Sequence, residues 1–297
     1  MAHDDGAEGL DLDGVPPGSV ALLGVAFEES SSFLRGTTGA PAALRTALHS
    51  AAGNLCAENG LDLSADRRFT DVGDLRWPDD GTGLSATGTL NADEKRVEAF
   101  FGTVRETVGR LLDRPARVLV LGGDHSITYP VVQAVAPRHA GLTILHLDAH
   151  PDLYDHLDGN RLSHASPFAR IMEEALATRL VQVGIRTLNP HQREQAARFG
   201  VEVIEMKNWQ PDTNLHLEGP VYLSIDMDCL DPAFAPGVSH HEPGGFTTRD
   251  VISIIQGLNV PVVGADLVEF NPARDPSGIT AAVAAKLTKE LLAVLLE

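Results

Sequence analysis

Apolar runs and amphipathic stretches alternate along most of this chain. Residues 117–121 are almost wholly apolar and include β-branched side chains, the pattern of a strand buried on both faces. Residues 92–113 instead place Val97, Phe100, Phe101, Val104, Val108 and Leu111 at intervals of three and four, which predicts a long amphipathic helix. The same reading gives further strands at 20–25, 69–72, 142–147, 180–185, 201–204, 221–225 and 261–268. Helices are expected at 40–50, 129–135, 166–177, 190–199, 247–258 and 278–296. Near-regular alternation of strand and helix predicts an α/β fold, a largely parallel sheet with helices on both faces. In such folds ligands bind beyond the carboxyl ends of the strands.

Residues 54–85, which contain Trp77-Pro78-Asp79-Asp80-Gly81, have the turn chemistry of an irregular excursion. No repeat, low-complexity tract or linker divides the chain, so one domain is expected over 19–297, after a flexible acidic segment at 1–18. The formal charge of −18 leaves no surplus of Lys and Arg for nucleic acid or an anionic membrane. It is compatible with drawing in a cationic small molecule, although an acidic surface is more often merely a solvated one. Cys56 and Cys229 form no C-x-x-C pair, and the N-terminal stretch has no basic region followed by an apolar one. No apolar run approaches the ~20 residues of a membrane span. These features together lead to the expectation of a soluble, cytoplasmic protein.

Candidate chemistry gathers where predicted strands end. Asp148, His150 and Asp152 follow the apolar run 142–147 at i, i+2 and i+4, so in an extended backbone their side chains point the same way. Three such groups at the end of a buried strand repel and desolvate one another, which calls for a cation or a partner. Gly122-Gly123-Asp124-His125-Ser126 follows 118–121; alone, His125 reads more readily as a hydrogen-bonded structural histidine than as a ligand. Asp226 and Asp228 follow 221–225, again at i and i+2. Glu269 follows 262–268, and a single Glu there would be unremarkable. In combination, the first three groups offer two His and four Asp with no thiolate. Two divalent cations sharing carboxylates can use such a set and lower the pKa of a water between them. The donors suit Mn²⁺ better than a structural zinc, and nickel and cobalt are compatible as well.

These motifs, with Ser224-Ile225-Asp226-Met227-Asp228-Cys229-Leu230-Asp231-Pro232 and Val268-Glu269-Phe270-Asn271-Pro272, resemble the ureohydrolase family, which includes arginases and agmatinases. The similarity covers roughly residues 18–296. It implies a three-layer α/β/α sandwich and a binuclear manganese centre that hydrolyses a guanidino compound to urea and an amine. By that resemblance His125, Asp148, Asp152 and Asp226 hold one ion and Asp148, His150, Asp226 and Asp228 the other, with Asp148 and Asp226 bridging. A bridging hydroxide would attack the guanidinium carbon, with Asp152 counted among the catalytic groups beside the metal. Glu269 would pair with the planar guanidinium. His164, otherwise an ordinary loop histidine, lies where the family places a proton shuttle.

Residues 154–160, Gly184-Ile185-Arg186 and Gly237-Val238-Ser239-His240 look like the plant-type arginases. Asp155 and Asn160 are candidate substrate contacts, and the loop at 29–35 is either part of the site or merely structural. Arginine stands slightly ahead of agmatine as substrate. The alternatives are another amidino substrate such as formimidoylglutamate, a non-catalytic metal-binding relative, and a two-metal phosphohydrolase. The last lacks a basic cluster to clamp a phosphoryl group. The family resemblance also implies a homo-oligomer, trimer or hexamer.

Overall fold

The computed structural model describes residues 9–77 and 90–297. Among the described residues eight strands form one sheet: β1 (Val20–Ala26), β2 (Phe69–Arg76), β3 (Arg117–Leu121), β4 (Thr143–Leu147), β5 (Arg179–Ile185), β6 (Glu202–Glu205), β7 (Val221–Asp226) and β8 (Val262–Val268). The spatial order is β2-β1-β3-β8-β7-β4-β5-β6, and every pairing is parallel. The helices are α1 (Ala40–Leu48), α2 (Leu90–Leu112), α3 (Thr128–Val135), α4 (Pro167–Glu173), α5 (Pro190–Phe199), α6 (Thr248–Gln256) and α7 (Ile279–Leu296).

Strand alternation divides the apolar residues between two layers. In β1, Val20 and Leu22 pack with α1, α6 and α7, whereas Ala21, Leu23 and Val25 face α2 and α3. In β3 the same split separates Leu119 and Leu121 from Val118 and Val120. A parallel strand must be apolar on both faces to sit between two helical layers, which is why these strands read as continuous apolar runs. The expected α/β/α sandwich is the architecture observed.

Some boundaries differ from the sequence pattern. Strand β2 runs on to Arg76, because Gly73, at φ 96°, lets it bulge opposite Leu22 and Leu23 and continue pairing with β1. Its polar Asp71 and Asp74 pair with Arg45 of α1. Helix α4 stops at Glu173, short of 177, because Ala175 turns left-handed (φ 52°) and the Leu176 amide closes back on Ile171. Within the expected flexible segment 1–18, residues 1–8 lie outside the described residues. Further along, Leu12 and Val15 are buried and Arg114 donates to the carbonyls of Leu12, Asp13 and Val15. Of the excursion at 54–85, residues 78–85 lie outside the described residues. Its earlier part turns through a bridge between Cys56 and Asp62.

Register then fixes the place of the chemistry. Leu121, Leu267, Ile225 and Leu147 form one row across the four central strands. Each predicted site group follows that row directly, at the carboxyl ends of β3, β8, β7 and β4.

Candidate metal centre

The backbone turns tightly out of β3. A Cβ at Gly123 would stand 1.7 Å from the Phe27 carbonyl oxygen, so only glycine lets this turn pass beneath the end of β1. Asp124 then accepts from the amide of Ser126, caps the following turn and delivers His125 inward. Asp226 likewise accepts from the Asp228 amide at 2.8 Å, and Asp148 from the His150 amide at 2.6 Å. Each i, i+2 carboxylate thus folds its own loop while still facing the centre.

The six residues converge on two foci. At the first, His125 Nδ1 lies 3.1 Å from Asp226 Oδ2, 3.1 Å from Asp152 Oδ2 and 3.2 Å from Asp148 Oδ2. At the second, His150 Nδ1 lies 3.1 Å from Asp228 Oδ2 and 3.5 Å from Asp148 Oδ1. Asp148 therefore faces both, one oxygen to each. His125, Asp148, Asp152, Asp226 and Asp228 are all buried, and only His150 retains partial exposure. Asp152 is left-handed at φ 49°, a conformation uncommon outside glycine that Asp adopts more readily than most residues.

The hydrogen-bond pattern tests whether a cation fits. Ser224 donates its hydroxyl proton to Asp266 Oδ1 (2.6 Å), so at 3.0 Å from His125 Nε2 it accepts the imidazole N–H. His125 then has Nδ1 aimed at three carboxylates; although burial disfavours its charge, Asp148, Asp152 and Asp226 hold it well above the ordinary imidazole range, so the focus calls for positive charge, a proton or a cation in its place. The carboxylates show the same strain. Burial, then the charges of Asp228 and Asp148, push Asp226 well above the ordinary carboxylate range. Burial also raises Asp228, to about 6, against the opposing pull of His150. Asp148 goes the other way: despite its burial, His146, His125 and His150 hold it well below the ordinary range. A nitrogen–oxygen set without thiolate, buried and mutually repulsive, fits a pair of divalent cations.

A supporting layer fixes these groups. Asp266, fully buried within β8, also accepts from Tyr222 Oη (2.7 Å) and Thr128 Oγ1 (2.8 Å). His146 Nε2 lies 2.8 Å from Asp148 Oδ2, and Gln182 Nε2 donates to His146 Nδ1 at 3.0 Å. Both nitrogens of His146 are thereby engaged, so it orients Asp148 and is not itself available to a cation.

Beside the foci, Glu269 is buried and left-handed, at φ 62°. Its Oε1 accepts from the His125 amide at 2.9 Å and lies 3.1 Å from His164 Nδ1, while its Oε2 is buried without a partner among the described residues. His164, although desolvated, is lifted to about 9 by Glu269. Conversely, burial works against ionisation of Glu269 but His164 keeps it below the ordinary range. Ser32 Oγ lies 2.9 Å from His164 Nε2, and the His164 amide donates to the Ser30 carbonyl. The loop at 29–35 thus reaches the site. His240 stacks on His164, ring centroids 5.0 Å apart.

These groups open into a cavity of about 190 Å³ whose walls include Ser32, Tyr154, Leu157, Thr187, Gln192 and His240. A larger cavity, about 530 Å³, lies between the β6–β7 connection and α6 and contains none of them. Asp155 and Asn160 do not line the site cavity. Asp155 pairs with Arg161 (2.7 Å) and Arg170 (3.2 Å), and Asn160 caps the Leu162 amide at 2.9 Å. The sequence pattern did not single out His146 and Asp266, and it gave no role of their own to Ser32, Ser224 and His240 within the stretches it named. A carboxylate interrupting the buried run of β8, and a histidine two residues before Asp148 on the same face, were the available signals.

Comparison with known proteins identifies the family and the fold. A family model described as "Arginase family" matches residues 18–293. "Arginase 1, mitochondrial" of Arabidopsis thaliana is 50% identical over 285 residues, covering 93% of this chain and 80% of the relative. The structure of the arginase from Medicago truncatula superposes with a TM-score of 0.81 at 44% identity, over 93% of this chain and 86% of that one. A hypothetical agmatinase from Burkholderia thailandensis gives 0.79 at 32% identity, over 96% and 87%. The cytoplasmic expectation is overturned by the plant relatives, which are named mitochondrial or chloroplastic/mitochondrial. Unpaired cysteines point to a reducing environment without saying which compartment supplies it. Among the described residues no helix is long and apolar enough to cross a membrane. With the motifs, the sheet order and nearly the whole length in agreement, this chain belongs to the arginase family, hydrolases acting on guanidino C–N bonds.

Proposed function

We propose that this chain is a binuclear manganese hydrolase that converts a guanidino amino acid or amine to urea and an amine, with arginine ahead of agmatine. The ordering follows the 50% identity to a plant arginase over nearly the whole chain. The observation that carries the chemistry is the unpartnered, buried Glu269 Oε2 beside a focus of repelling carboxylates. A planar guanidinium can bond to Glu269 Oε2 through an N–H while the negative centre balances its charge.

His125, Asp148, Asp152 and Asp226 would hold one ion, and Asp148, His150, Asp226 and Asp228 the other. When bound, two such cations supply a nucleophile near neutral pH by lowering the pKa of water. The protein's own groups do the rest. Glu269 positions the guanidinium so that its carbon faces the centre. His164, hydrogen-bonded to Glu269 Oε1 and lifted to about 9, carries a proton at neutral pH for the leaving amine. Ser32 fixes the opposite side of that ring. Asp155 and Asn160 act on the substrate only indirectly, by shaping the loop that carries Tyr154 and Leu157. Residues 19–297 form the single catalytic domain, assembled as a homo-oligomer.

Urea release is measured across arginine, agmatine, guanidinobutyrate and formimidoylglutamate with manganese loaded. Release from a guanidino substrate is expected. Formamide from formimidoylglutamate, with no urea from any of the others, would overturn the reading.

A further inference from the structure

Two imidazoles and a carboxylate meet outside the six-residue set. His164, His240 and Glu269 each present a ligand atom, and these atoms lie within 4.8 Å of one another. Independently, Glu269, only 3% exposed, keeps Oε2 without a partner. The rings of His164 and His240 stack, 5.0 Å apart and inclined by 29°, so the two imidazoles are held as a pair beside that carboxylate. Their backbones are also tied to one another. Val238 bridges to Phe270, and Asn271 donates to Ser239 Oγ, so the segment carrying His240 is fixed to the one carrying Glu269. The His164 amide is anchored on the Ser30 carbonyl.

The surroundings favour a cation. Asp152, Asp226, Asp228 and Glu269 line the cavity, and among the described residues no Lys or Arg does. Two imidazoles and one carboxylate, with a fourth position open to the cavity, form a three-ligand set that suits zinc. Manganese, a harder ion, is drawn instead to the carboxylate-rich foci.

We propose that His164, His240 and Glu269 form a third divalent-cation site, selective for a borderline ion such as zinc. Occupation releases the proton shared by His164 and Glu269 to solvent, replaces their hydrogen bond and takes the carboxylate that would otherwise receive the guanidinium. Zinc in excess is therefore a competitive inhibitor, a consequence that rests on the reading of Glu269 given above. The ion binds more weakly than the pair at the foci, because it has fewer carboxylates and must displace an existing hydrogen bond.

Manganese-loaded protein is equilibrated with rising zinc, metals are counted per chain, and the zinc is located in crystals by anomalous scattering. Two manganese ions retained and one zinc bound beside His240 is the expected result, with urea release inhibited competitively against the guanidino substrate. H240N lowers zinc affinity at least tenfold and keeps both manganese ions, which also shows that the variant is folded. A zinc count that only replaces lost manganese, or a third ion indifferent to H240N, overturns the site. Fewer than two manganese ions beside a His240-dependent zinc would overturn the two-cation reading and sustain this one.

Discussion

Ser224 Oγ stands between His125 Nε2, at 3.0 Å, and Asp266 Oδ1, at 2.6 Å, so a carboxylate that never reaches the centre sets the tautomer of a histidine that does. Replacing Ser224 by Ala leaves the His125 N–H buried without an acceptor and removes one donor from Asp266. Leaving such groups unpaired costs about 1–3 kcal/mol. Metal affinity is expected to fall about 10- to 100-fold, the range seen when groups behind a ligand are lost. Manganese titration of S224A, with the circular dichroism spectrum unchanged, checks this; full affinity would mean that His125 needs no such orientation.

Asp226 gives a prediction with two signs. In the metal-free protein its charge is opposed by burial and by Asp228 and Asp148. Asp226→Asn removes that repulsion, so the metal-free variant is expected to melt higher than metal-free wild type. With manganese the order inverts, because the variant loses a ligand that both ions would share, and turnover is abolished. Thermal melts of both proteins, with and without manganese, read the inversion. A variant less stable than wild type in both states would rule out repulsion as the cost.

How much of this was legible in the sequence follows from where polar residues interrupt apolar runs. Asp148, Asp226 and Glu269 are visible because each directly follows a buried strand. Asp266 and His146 are equally polar and buried, yet they lie inside their strands, where a lone interruption does not say what it supports. His164 carried no signal apart from the family resemblance, since its role depends on Glu269, 105 residues away. Boundaries failed for local reasons. Ala175 ends α4 in a conformation that its side chain does not announce, and the acidic residues of β2 look like loop until Arg45 pairs with them.

A second buried carboxylate far from the centre predicts a pH response. Glu290 of α7 is 2% exposed and accepts from Lys286, Gln256 and the Glu58 amide. Burial raises its pKa, but these partners outweigh it and hold it below the ordinary value. The unfolded chain therefore binds this proton more readily than the folded one. The contribution is present above pH ~4.3, the value of a free Glu, and fades as pH falls through the lower folded pKa. E290Q is expected to lose about 1–3 kcal/mol at pH 7, discounted from the cost of breaking a fully buried pair because Lys286 is partly exposed. Towards pH 3 the gap to wild type should narrow. Denaturant midpoints at both pH values test it, and a gap that widens in acid contradicts the sign.

Glu269 offers the sharpest test of the reaction itself. Glu269→Gln keeps the size of the side chain and can still accept from the His125 amide, so the turn after β8 and both cation foci should survive. It exchanges a carboxylate oxygen for a group that carries no charge towards the substrate. A hydrogen bond to a charged group is worth about 1.5–3 kcal/mol, which corresponds to a loss of about 10- to 150-fold in kcat/KM. The same change removes the anion that lifts His164 to about 9, so this histidine titrates lower in the variant. The pH–rate profile should then lose activity at a lower alkaline pH than wild type, because the proton donor is exhausted sooner. Full manganese stoichiometry, reduced kcat/KM and a shifted alkaline limb together are the expected signature. An unshifted alkaline limb would show that the proton for the leaving amine comes from somewhere other than His164.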